Sequence, residues 1–568
     1  MLISAGTITR DAADRDTLTT PSHEICWRGF VYKRGSRAGA ESLRELSQAR
    51  EEDIPRMAAE LKGTYFIAVH CKASGNIFAF VDQAGLCHSF YSKHRIGTSF
   101  LEISRLEGFT GADIDPEALV EFFHFGCIYE ERTFFPEIRK IEPDAVLCCD
   151  PKGNIGSLRK PVADISEPPQ RSFDSLMRDF ALAVKDEKVS VDVTGGADSR
   201  LLASALAYYG LPFETATSGR PGFADVEIGA RLAKVLGRDF HPTYHVPNGS
   251  DWEELFFRSD GMFDVTKSHR ATQLQHDRKK RGMTMSVSGA AGEAFRETWW
   301  LHDFPFYNRR NARLDRLYNL RMAPQPLLHG LLADRYRKVS LNQRENLLRR
   351  VSKYVVPGNT RTYDRIYYYF QLRTWGGTFA TSNMSVLKVG IPYVDRDFVR
   401  IGYNLPRTQR MLSRFNRKMI TKYCRKAAFL PSTEAGVSLA SGPLALSLDL
   451  NRYLADRTKR LAKKIGQQVL GKTFFQESPD DPGIYDDLLR TMDLRGSTQV
   501  LADSGVLSQS LDPRLLPKRY LGHVFVLGRF FEQLGESVRP ESARAGAARN
   551  VRPDPFPYGI ASRIRVAG

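Results

Sequence analysis

Residues 188–200 have the sequence Lys-Val-Ser-Val-Asp-Val-Thr-Gly-Gly-Ala-Asp-Ser-Arg. Valines at alternate positions predict a β-strand, which ends at Gly195 and Gly196 because glycine lets the backbone turn without a Cβ penalty. Asp198 and Ser199 favour the start of a helix, and the apolar run after them predicts its continuation. A strand, a glycine turn and a helix N-terminus together predict an anion site, because backbone N–H groups and the helix dipole point to one spot.

The turn differs from the two common nucleotide-binding patterns. No lysine follows Gly196, and the glycine spacing is not that of the Gly-x-Gly-x-x-Gly dinucleotide pattern. Taken alone, the turn therefore predicts either a phosphate site or a plain connection between a strand and a helix.

Composition indicates a globular chain of two to four domains, with 568 residues, 42% of them hydrophobic and 26% charged. Seven cysteines without a Cys-x-x-Cys pair argue against a disulfide framework or a zinc site and favour a reducing, cytoplasmic compartment. The apolar start is too short for a signal peptide, and no stretch approaches 18 uninterrupted apolar residues. We therefore expect a soluble protein without a membrane span.

The formal net charge of +17 is the unusual global feature. It indicates either an anionic partner or solvated helix faces in an arginine-rich chain. The basic clusters are scattered, and no RNA-recognition or helix-turn-helix pattern accompanies them. The sequence therefore does not favour nucleic acid as a partner.

The first 160 residues predict a β-rich layered domain. Strands are predicted at 63–70, 76–82 and 145–149, with a hairpin turn at 72–75, and a helix is predicted at 116–125. A linker rich in proline and polar side chains is predicted at 161–172.

The second domain is predicted at 173–538, and residues 539–568 are predicted to form a flexible tail. Its predicted strands alternate with helices and lie at 189–193, 213–219, 241–246 and 283–287. This alternation is typical of an α/β fold with a parallel sheet, which binds ligands at the carboxyl ends of its strands. Helices dominate the C-terminal part from about residue 314.

A second turn of small residues, Ser-Gly-Ala-Ala-Gly-Glu at 288–293, follows the last of these strands. Because both turns follow strands of one sheet, we expect them to converge on one ligand.

Six segments resemble landmarks of the asparagine synthetase family, whose relatives include β-lactam synthetases, lasso-peptide cyclases and amidotransferases of surface-polysaccharide pathways. Residues 191–199 resemble its Ser-Gly-Gly-x-Asp-Ser pyrophosphate loop, with Thr194 for the first serine. Residues 288–293 resemble its Ser-Gly-x-Gly-x-Asp-Glu turn, which places Glu293 at the metal-binding Asp. The remaining similar segments are Pro-Tyr-Val-Asp at 392–395 and, in the first domain, residues 61–65, 81–85 and 133–138.

The resemblance implies a degenerate N-terminal-nucleophile glutaminase-like domain followed by an ATP-pyrophosphatase domain that adenylates a carboxylate and lets an amine attack it. The implied cofactors are ATP and Mg²⁺, with Asp198 and Glu293 as catalytic residues and metal ligands, since Mg²⁺ needs few carboxylates besides phosphate oxygens and water. The alternative roles are helix capping for Asp198 and a surface acid for Glu293. The predicted nucleotide-binding residues are Thr194, Gly195, Gly196, Asp198, Ser199, Thr217, Ser288 and Gly289.

One departure concerns the amine source. The family's glutaminase domain works through a cysteine directly after the initiator methionine, and Leu2 stands at that position. Methionine is not normally removed before leucine, and Cys26 lies too far inside the chain. We therefore expect no glutamine hydrolysis, and an amine that comes from free ammonia, a partner glutaminase or the substrate.

Further departures concern the substrate side. Residues 386–390 and 432–436 lack charged groups that the family carries there. Lys418 and Lys422 are the predicted catalytic cations that replace them, and a basic helix face is the alternative. Arg200 and Arg296 either reach anionic substrate groups or serve packing and ion pairs, and both alternatives remain open for each arginine.

The predicted function is that of an ATP-dependent, glutamine-independent ligase of specialised biosynthesis, which joins a carboxylate of a peptide or small molecule to an amine. Peptide macrocyclisation, with a partner protease or peptide-recognition protein, and amidation of a sugar acid both remain open. The alternatives are a non-catalytic scaffold, an asparagine synthetase that uses ammonia from elsewhere, and an adenylating enzyme that acts on nucleic acid.

Overall fold

The computed structural model describes residues 1–10, 16–244, 251–297, 299–303, 306–323, 327–433, 436–447 and 483–538, with short stretches between 449 and 462. The tail predicted at 539–568 lies outside the described residues, as does the end of the strand predicted at 241–246.

The β-strands are β1 (Leu2–Ser4), β2 (Thr7–Thr9), β3 (Asp16–Thr19), β4 (His23–Tyr32), β5 (Lys62–Cys71), β6 (Ile77–Val81), β7 (Phe90–Tyr91), β8 (Ile96–Gly97), β9 (Arg139–Lys140), β10 (Ala145–Cys149), β11 (Ile155–Arg159), β12 (Val189–Asp192), β13 (Phe213–Gly219), β14 (Phe240–Tyr244), β15 (Met285–Val287) and β16 (Lys388–Gly390).

The α-helices are α1 (Ala40–Leu43), α2 (Ile54–Ala58), α3 (Phe100–Glu107), α4 (Pro116–Phe125), α5 (Phe173–Ala183), α6 (Ala197–Tyr208), α7 (Ala224–Leu236), α8 (Trp252–Arg258), α9 (Val265–Lys280), α10 (Leu314–Leu317), α11 (Asp334–Leu341), α12 (Gln343–Ser352), α13 (Asn359–Ile366), α14 (Gly377–Met384), α15 (Arg396–Asn404), α16 (Arg407–Arg410), α17 (Arg414–Tyr423), α18 (Arg425–Ala428), α19 (Ile484–Thr491), α20 (Leu494–Asp503) and α21 (Arg519–Val538). Two π-helical segments, Tyr318–Met322 and Tyr367–Gly376, continue α10 and α13. Among the described residues, no helix is long and apolar enough to cross a bilayer.

The N-terminal region forms two antiparallel sheets, with strand orders β11-β10-β6-β5-β4-β3 and β2-β1-β8-β7-β9. The strands predicted at 63–70, 76–82 and 145–149 and the helix at 116–125 are confirmed, and β5 and β6 pair as the predicted hairpin. Residues 65–69 of β5 are apolar without alternation because the two faces of the strand meet different cores. Phe66 and Ala68 pack in a core shared with the second region, whereas Ile67 packs on the other side with α2.

The second region is built on a five-stranded sheet of order β14-β13-β12-β15-β16, in which all four pairings are parallel. The four predicted strands are confirmed with slightly shifted ends. The fifth strand, β16, was not predicted, because three residues that begin with a lysine give no alternating apolar signal.

The strand order places a crevice beside β12. The chain runs from β12 outward through β13 and β14, and then returns to the other side of β12 for β15 and β16. The order therefore reverses between β12 and β15, and such a switch point at the carboxyl ends of parallel strands is where open α/β sheets bind ligands. Both predicted turns begin at this edge.

The segment predicted as a linker, 161–172, is packed against the second region. Ile165 is fully buried in the shared core, and Asp164 accepts a hydrogen bond from Arg365 at 2.8 Å. Arg400 donates to the backbone carbonyls of Glu167 and Pro168. The two regions are thus joined through a common core as well as through the chain.

Candidate active site

The turns after β12 and β15 touch each other at the switch point. A Cβ atom added to Gly292 would lie 2.4 Å from Asp198 Cγ, and one added to Gly289 would lie 2.8 Å from Ser199 N. Real Cβ atoms do not approach so closely, so both positions require glycine. The two turns therefore lie side by side at the edge of the sheet.

The first turn is ordered by its own hydroxyl groups. Thr194 Oγ1 lies 2.9 Å from Ser199 Oγ and accepts from Gly196 N at 3.2 Å. Gly195 N donates to Asp225 Oδ1 at 2.8 Å. Gly196, at the start of α6, makes no side-chain cap hydrogen bond, and a helix N-terminus favours a bound anion.

The second turn is strained at Ala291, whose φ of 66° lies in the left-handed region. This conformation costs a residue with a Cβ about 1–2 kcal/mol. Strain of this kind persists where the surrounding structure over-determines the backbone. Here the close contact of Gly292 with Asp198 fixes the turn that carries Glu293.

The Asp198 carboxylate accepts hydrogen bonds on both oxygens. Arg296 Nη2 donates to Oδ2 at 2.5 Å, and Asn416 Nδ2 donates to Oδ1 at 2.9 Å. The Asp198 and Arg296 side chains are 14% and 15% exposed, so their ion pair is largely shielded from water. The guanidinium of Arg296 therefore stands beside the carboxylate that the sequence assigned to a metal.

The Glu293 carboxylate is held from the other side by the π-helical segment. Tyr367, its first residue, donates its phenolic hydrogen to Glu293 Oε2 at 2.9 Å. Burial, together with the negative charge of Glu293, raises the pKa of Tyr367 well above its ordinary value, so the phenol stays protonated and remains a donor. Helices of this wide type are often found at functional sites.

The residues present fit a magnesium ion in donor chemistry. Asp198 and Glu293 supply carboxylates from two touching turns, and Mg²⁺ takes its other ligands from phosphate oxygens and water. The Oδ1 atom of the buried Asn416 has no hydrogen-bond partner in the described part of the chain, so one acceptor beside Asp198 is unsatisfied there. Among the described residues, no group of three or more His, Cys, Asp or Glu side chains could hold a metal, so a metal at these turns would depend on two carboxylates together with phosphate oxygens and water.

Arg200 covers the first turn from behind and serves packing. Its guanidinium donates to the carbonyls of Leu430 and Pro431 at 2.7 and 2.6 Å, and to that of Gly195 at 3.4 Å. Thr433 N donates to Gly195 O at 3.1 Å. Burial lowers the pKa of Arg200 to about 10. Of the two roles considered for Arg200, the structure shows the structural one.

Ser288 and Thr217, two further predicted nucleotide-binding residues, lie near the carboxyl ends of β15 and β13. Ser288 N donates to Gly390 O at 2.9 Å, which fixes the start of the second turn against β16. Thr217 is buried in the second half of β13, one residue beyond Ala216, whose carbonyl accepts from Val193 N at 3.0 Å. Both therefore lie at the carboxyl edge of the sheet.

Lys418 and Lys422 lie on the outer face of α17. Lys418 is exposed, and Lys422 Nζ forms an ion pair with Asp174 at 2.7 Å. Asn416 lies two residues before Lys418, about 200° around the helix, and is fully buried against Asp198. Both lysines predicted as catalytic cations thus lie on the solvated face of α17, as the basic-face alternative describes.

Comparison with known proteins supports the family resemblance at a general level. No family model matches the chain. A segment of 193 residues is 23% identical to asparagine synthetase [glutamine-hydrolyzing] 1 of Bacillus subtilis (strain 168), and it covers 32% of this chain and 30% of that protein. The similarity thus spans less than a third of the relative's length.

Proposed function

We propose that the chain is an ATP-dependent ligase that adenylates a carboxylate and then forms an amide. The observation that carries the proposal is the contact between two glycine turns at the switch point of a parallel sheet, with Asp198 on one turn and Glu293 on the other. The similarity to a glutamine-hydrolysing asparagine synthetase supports the same reaction class.

In the proposed reaction, a carboxylate oxygen bonds to the α-phosphorus of ATP, and the bond from that phosphorus to pyrophosphate breaks. An amine nitrogen then bonds to the acyl carbon, loses a proton, and AMP leaves. The uncapped N-terminus of α6 and the Thr194 and Ser199 hydroxyls are suited to hold the leaving pyrophosphate. Asp198 and Glu293 would hold Mg²⁺, which supplies positive charge that offsets the charge of the departing phosphates.

We propose that the N-terminal region is a glutaminase-like domain that does not hydrolyse glutamine. Burial raises the pKa of four of its thiols, those of Cys71, Cys127, Cys148 and Cys149, and that of Cys71 is raised to about 12. A thiol with a raised pKa is a poor nucleophile because little thiolate forms.

The substrates that we propose are a carboxylate and an amine of a specialised pathway, either within one peptide or as a sugar acid with ammonia. Lys388, at a position where the family carries charged substrate residues, is committed to Glu187 at 2.8 Å. Recognition of aspartate therefore lacks support from this segment, and peptide closure would bring in a protease or peptide-recognition protein as partner.

The test is the formation of AMP and pyrophosphate from ATP and Mg²⁺ with three probes: aspartate with ammonium, glucuronate with ammonium, and an unprotected peptide that has a free amine and a side-chain carboxylate. We expect one probe class to stimulate AMP formation and Asp198→Ala to abolish it. Glutamine should not replace ammonium. AMP formation that is unchanged in Asp198→Ala would refute the assignment.

A non-catalytic scaffold is the second candidate, favoured by the protein's own groups at the site. Gly195 N donates a hydrogen bond to Asp225, and Asp198 accepts one from Arg296, so both groups already have partners within the protein. A scaffold of this kind would leave ATP unbound at millimolar concentration, whereas the ligase requires ATP binding before any carboxylate is supplied.

A further inference from the structure

The Arg296 guanidinium is hydrogen-bonded to the Asp198 carboxylate, which the proposed ligase would need as a metal ligand. We propose that Arg296 is a built-in counter-ion, which neutralises Asp198 until a divalent metal displaces it and whose released guanidinium then binds the phosphate groups of the nucleotide. This inference rests on the proposed function, because it assigns Arg296 a role in the same site.

The geometry makes the guanidinium and a metal ion competitors. Arg296 Nη2 lies 2.5 Å from Asp198 Oδ2, so the two groups form a charge-assisted hydrogen bond. The other carboxylate oxygen accepts from Asn416. Two cations on one carboxylate oxygen would repel each other, and the pair's low exposure weakens the screening that would permit it. A metal that binds Oδ2 must therefore replace the guanidinium.

The backbone of Arg296 is fixed, so the replacement needs only a side-chain rotation. The Arg296 carbonyl accepts from Arg410 Nε and Nη2 at 3.1 and 2.7 Å. Arg410 is itself bound by Asp364 at 2.5 and 2.9 Å, and its guanidinium lies 4.0 Å above the ring of Trp300. This anchor keeps the displaced guanidinium of Arg296 near the turns, where an anionic ligand can bind it.

The buried side chain of Asn416 provides a second, independent observation beside Asp198. Its Nδ2 atom binds Asp198, but its buried Oδ1 atom has no hydrogen-bond partner within the described residues. A buried acceptor without a donor is costly. A hydrated cation beside Asp198 brings O–H donors, whereas the arginine leaves Asn416 Oδ1 unsatisfied.

The position of Arg296 also fits an exchange better than a permanent ion pair. It lies three residues after Glu293, at the end of the short helical turn Gly292–Phe295. One turn therefore carries both the second carboxylate and the cation that neutralises the first. Loading a metal would change the partners of both groups together.

The experiment is a titration of the full chain with Mn²⁺, followed by electron paramagnetic resonance of the free ion, in the absence of nucleotide. We expect Arg296→Gln to bind Mn²⁺ about tenfold more tightly than the wild type, because one charge-assisted hydrogen bond no longer competes. Arg296→Lys keeps the charge and should stay within about threefold of the wild type. Asp198→Asn should lose the site.

The matched control is Arg281→Gln, which also removes one partly buried arginine from an ion pair. Arg281 pairs with Glu214 at 2.7 Å, near the amino end of β13 and opposite the two turns. It should leave Mn²⁺ affinity unchanged and so exclude a general effect of net charge. A second titration, with α,β-methylene-ATP in the presence of Mg²⁺, should show weaker binding to Arg296→Gln, again by about tenfold.

The inference would be overturned if Arg296→Gln bound Mn²⁺ with the same affinity as the wild type. It would also be overturned if neither protein had a Mn²⁺ site that depends on Asp198. Equal affinity of both proteins for α,β-methylene-ATP would overturn the second half of it. These readouts need no turnover. Failure of the proposed function shows separately, as absence of carboxylate-dependent AMP formation by the wild type.

Discussion

Lys62 lies in a buried charge cluster that joins the two regions, and its replacement by methionine is the most informative stability test. Lys62 Nζ lies 2.9 Å from Asp397 Oδ2, 3.4 Å from Asp395 Oδ1 and 3.2 Å from Gln83 Oε1. The lysine side chain is only 6% exposed, and the two aspartates are 11% and 9% exposed. Lys62 begins β5, whereas both aspartates stand at the start of α15.

The expected loss of stability follows because Lys62→Met leaves the carboxylates of Asp395 and Asp397 buried without their lysine partner. Removing one partner of a buried ion pair typically costs about 3–5 kcal/mol, and methionine keeps most of the side-chain volume. Arg34 still pairs with Asp397, so the lower end of the range applies. We expect Lys62→Met to lower the free energy of unfolding by about 3 kcal/mol at pH 7.5.

The loss should depend on pH with a defined sign. Burial raises the pKa of Asp395, whereas Lys62 and Arg34 overcome burial at Asp397 and lower its pKa. A lowered carboxylate pKa stabilises the fold above the unfolded pKa of about 3.9, and this stability is lost as pH falls through the folded pKa. Without Lys62, the pKa values of Asp395 and Asp397 both rise, so the two carboxylates take up protons at higher pH. The difference between variant and wild type should therefore shrink from pH 7.5 to pH 5.

The assay is urea unfolding at both pH values, with Lys33→Met as the matched control. Lys33 pairs with Glu45 at 2.5 Å and Glu60 at 3.0 Å, but these carboxylates are 67% and 42% exposed, so the control should lose less than about 1 kcal/mol. Equal losses in the two variants, or a Lys62→Met deficit that grows toward pH 5, would refute the reasoning.

Three further predictions concern the turns. Gly292→Ala should destabilise the fold by about 1–3 kcal/mol and weaken ATP binding, because its Cβ would collide with Asp198, whereas Gly156→Ala, which has open space, should do neither. Ala291→Gly should raise the free energy of urea unfolding by about 1 kcal/mol by relieving the positive φ; no gain would contradict the strain. Tyr367→Phe removes one hydrogen bond from the carboxylate of the second turn, worth about 1 kcal/mol, and should slow AMP formation about fivefold without changing the fold by circular dichroism; an unchanged rate would exclude a positioning role.

Much of the fold was predictable because its signals are local. The valines of β12, the apolar runs of β5 and β6, and the glycine turns each have a pattern that requires no tertiary knowledge. β16 escaped prediction because its place is set by pairing with β15, and not by its own three residues.

The site was predictable only in its backbone turns. The resemblance of the two turns to those of the asparagine synthetase family pointed to Asp198 and Glu293, but Asn416 is contributed by a helix more than 200 residues later. A buried asparagine among lysines has no signal of its own, and only the helical period separates it from the exposed Lys418. The choice between the two roles of Arg200 likewise depended on carbonyl groups that the fold brings together.

The most direct test of the central claim is hydrogen–deuterium exchange of the full chain with and without Mg²⁺ and α,β-methylene-ATP, which requires no knowledge of the carboxylate or amine. The account predicts slower exchange in the peptides that cover 188–200 and 283–297, and no change in the peptide that covers 145–149. Binding that protects neither turn, or no binding at millimolar nucleotide, would contradict the claim that these two turns form an ATP site.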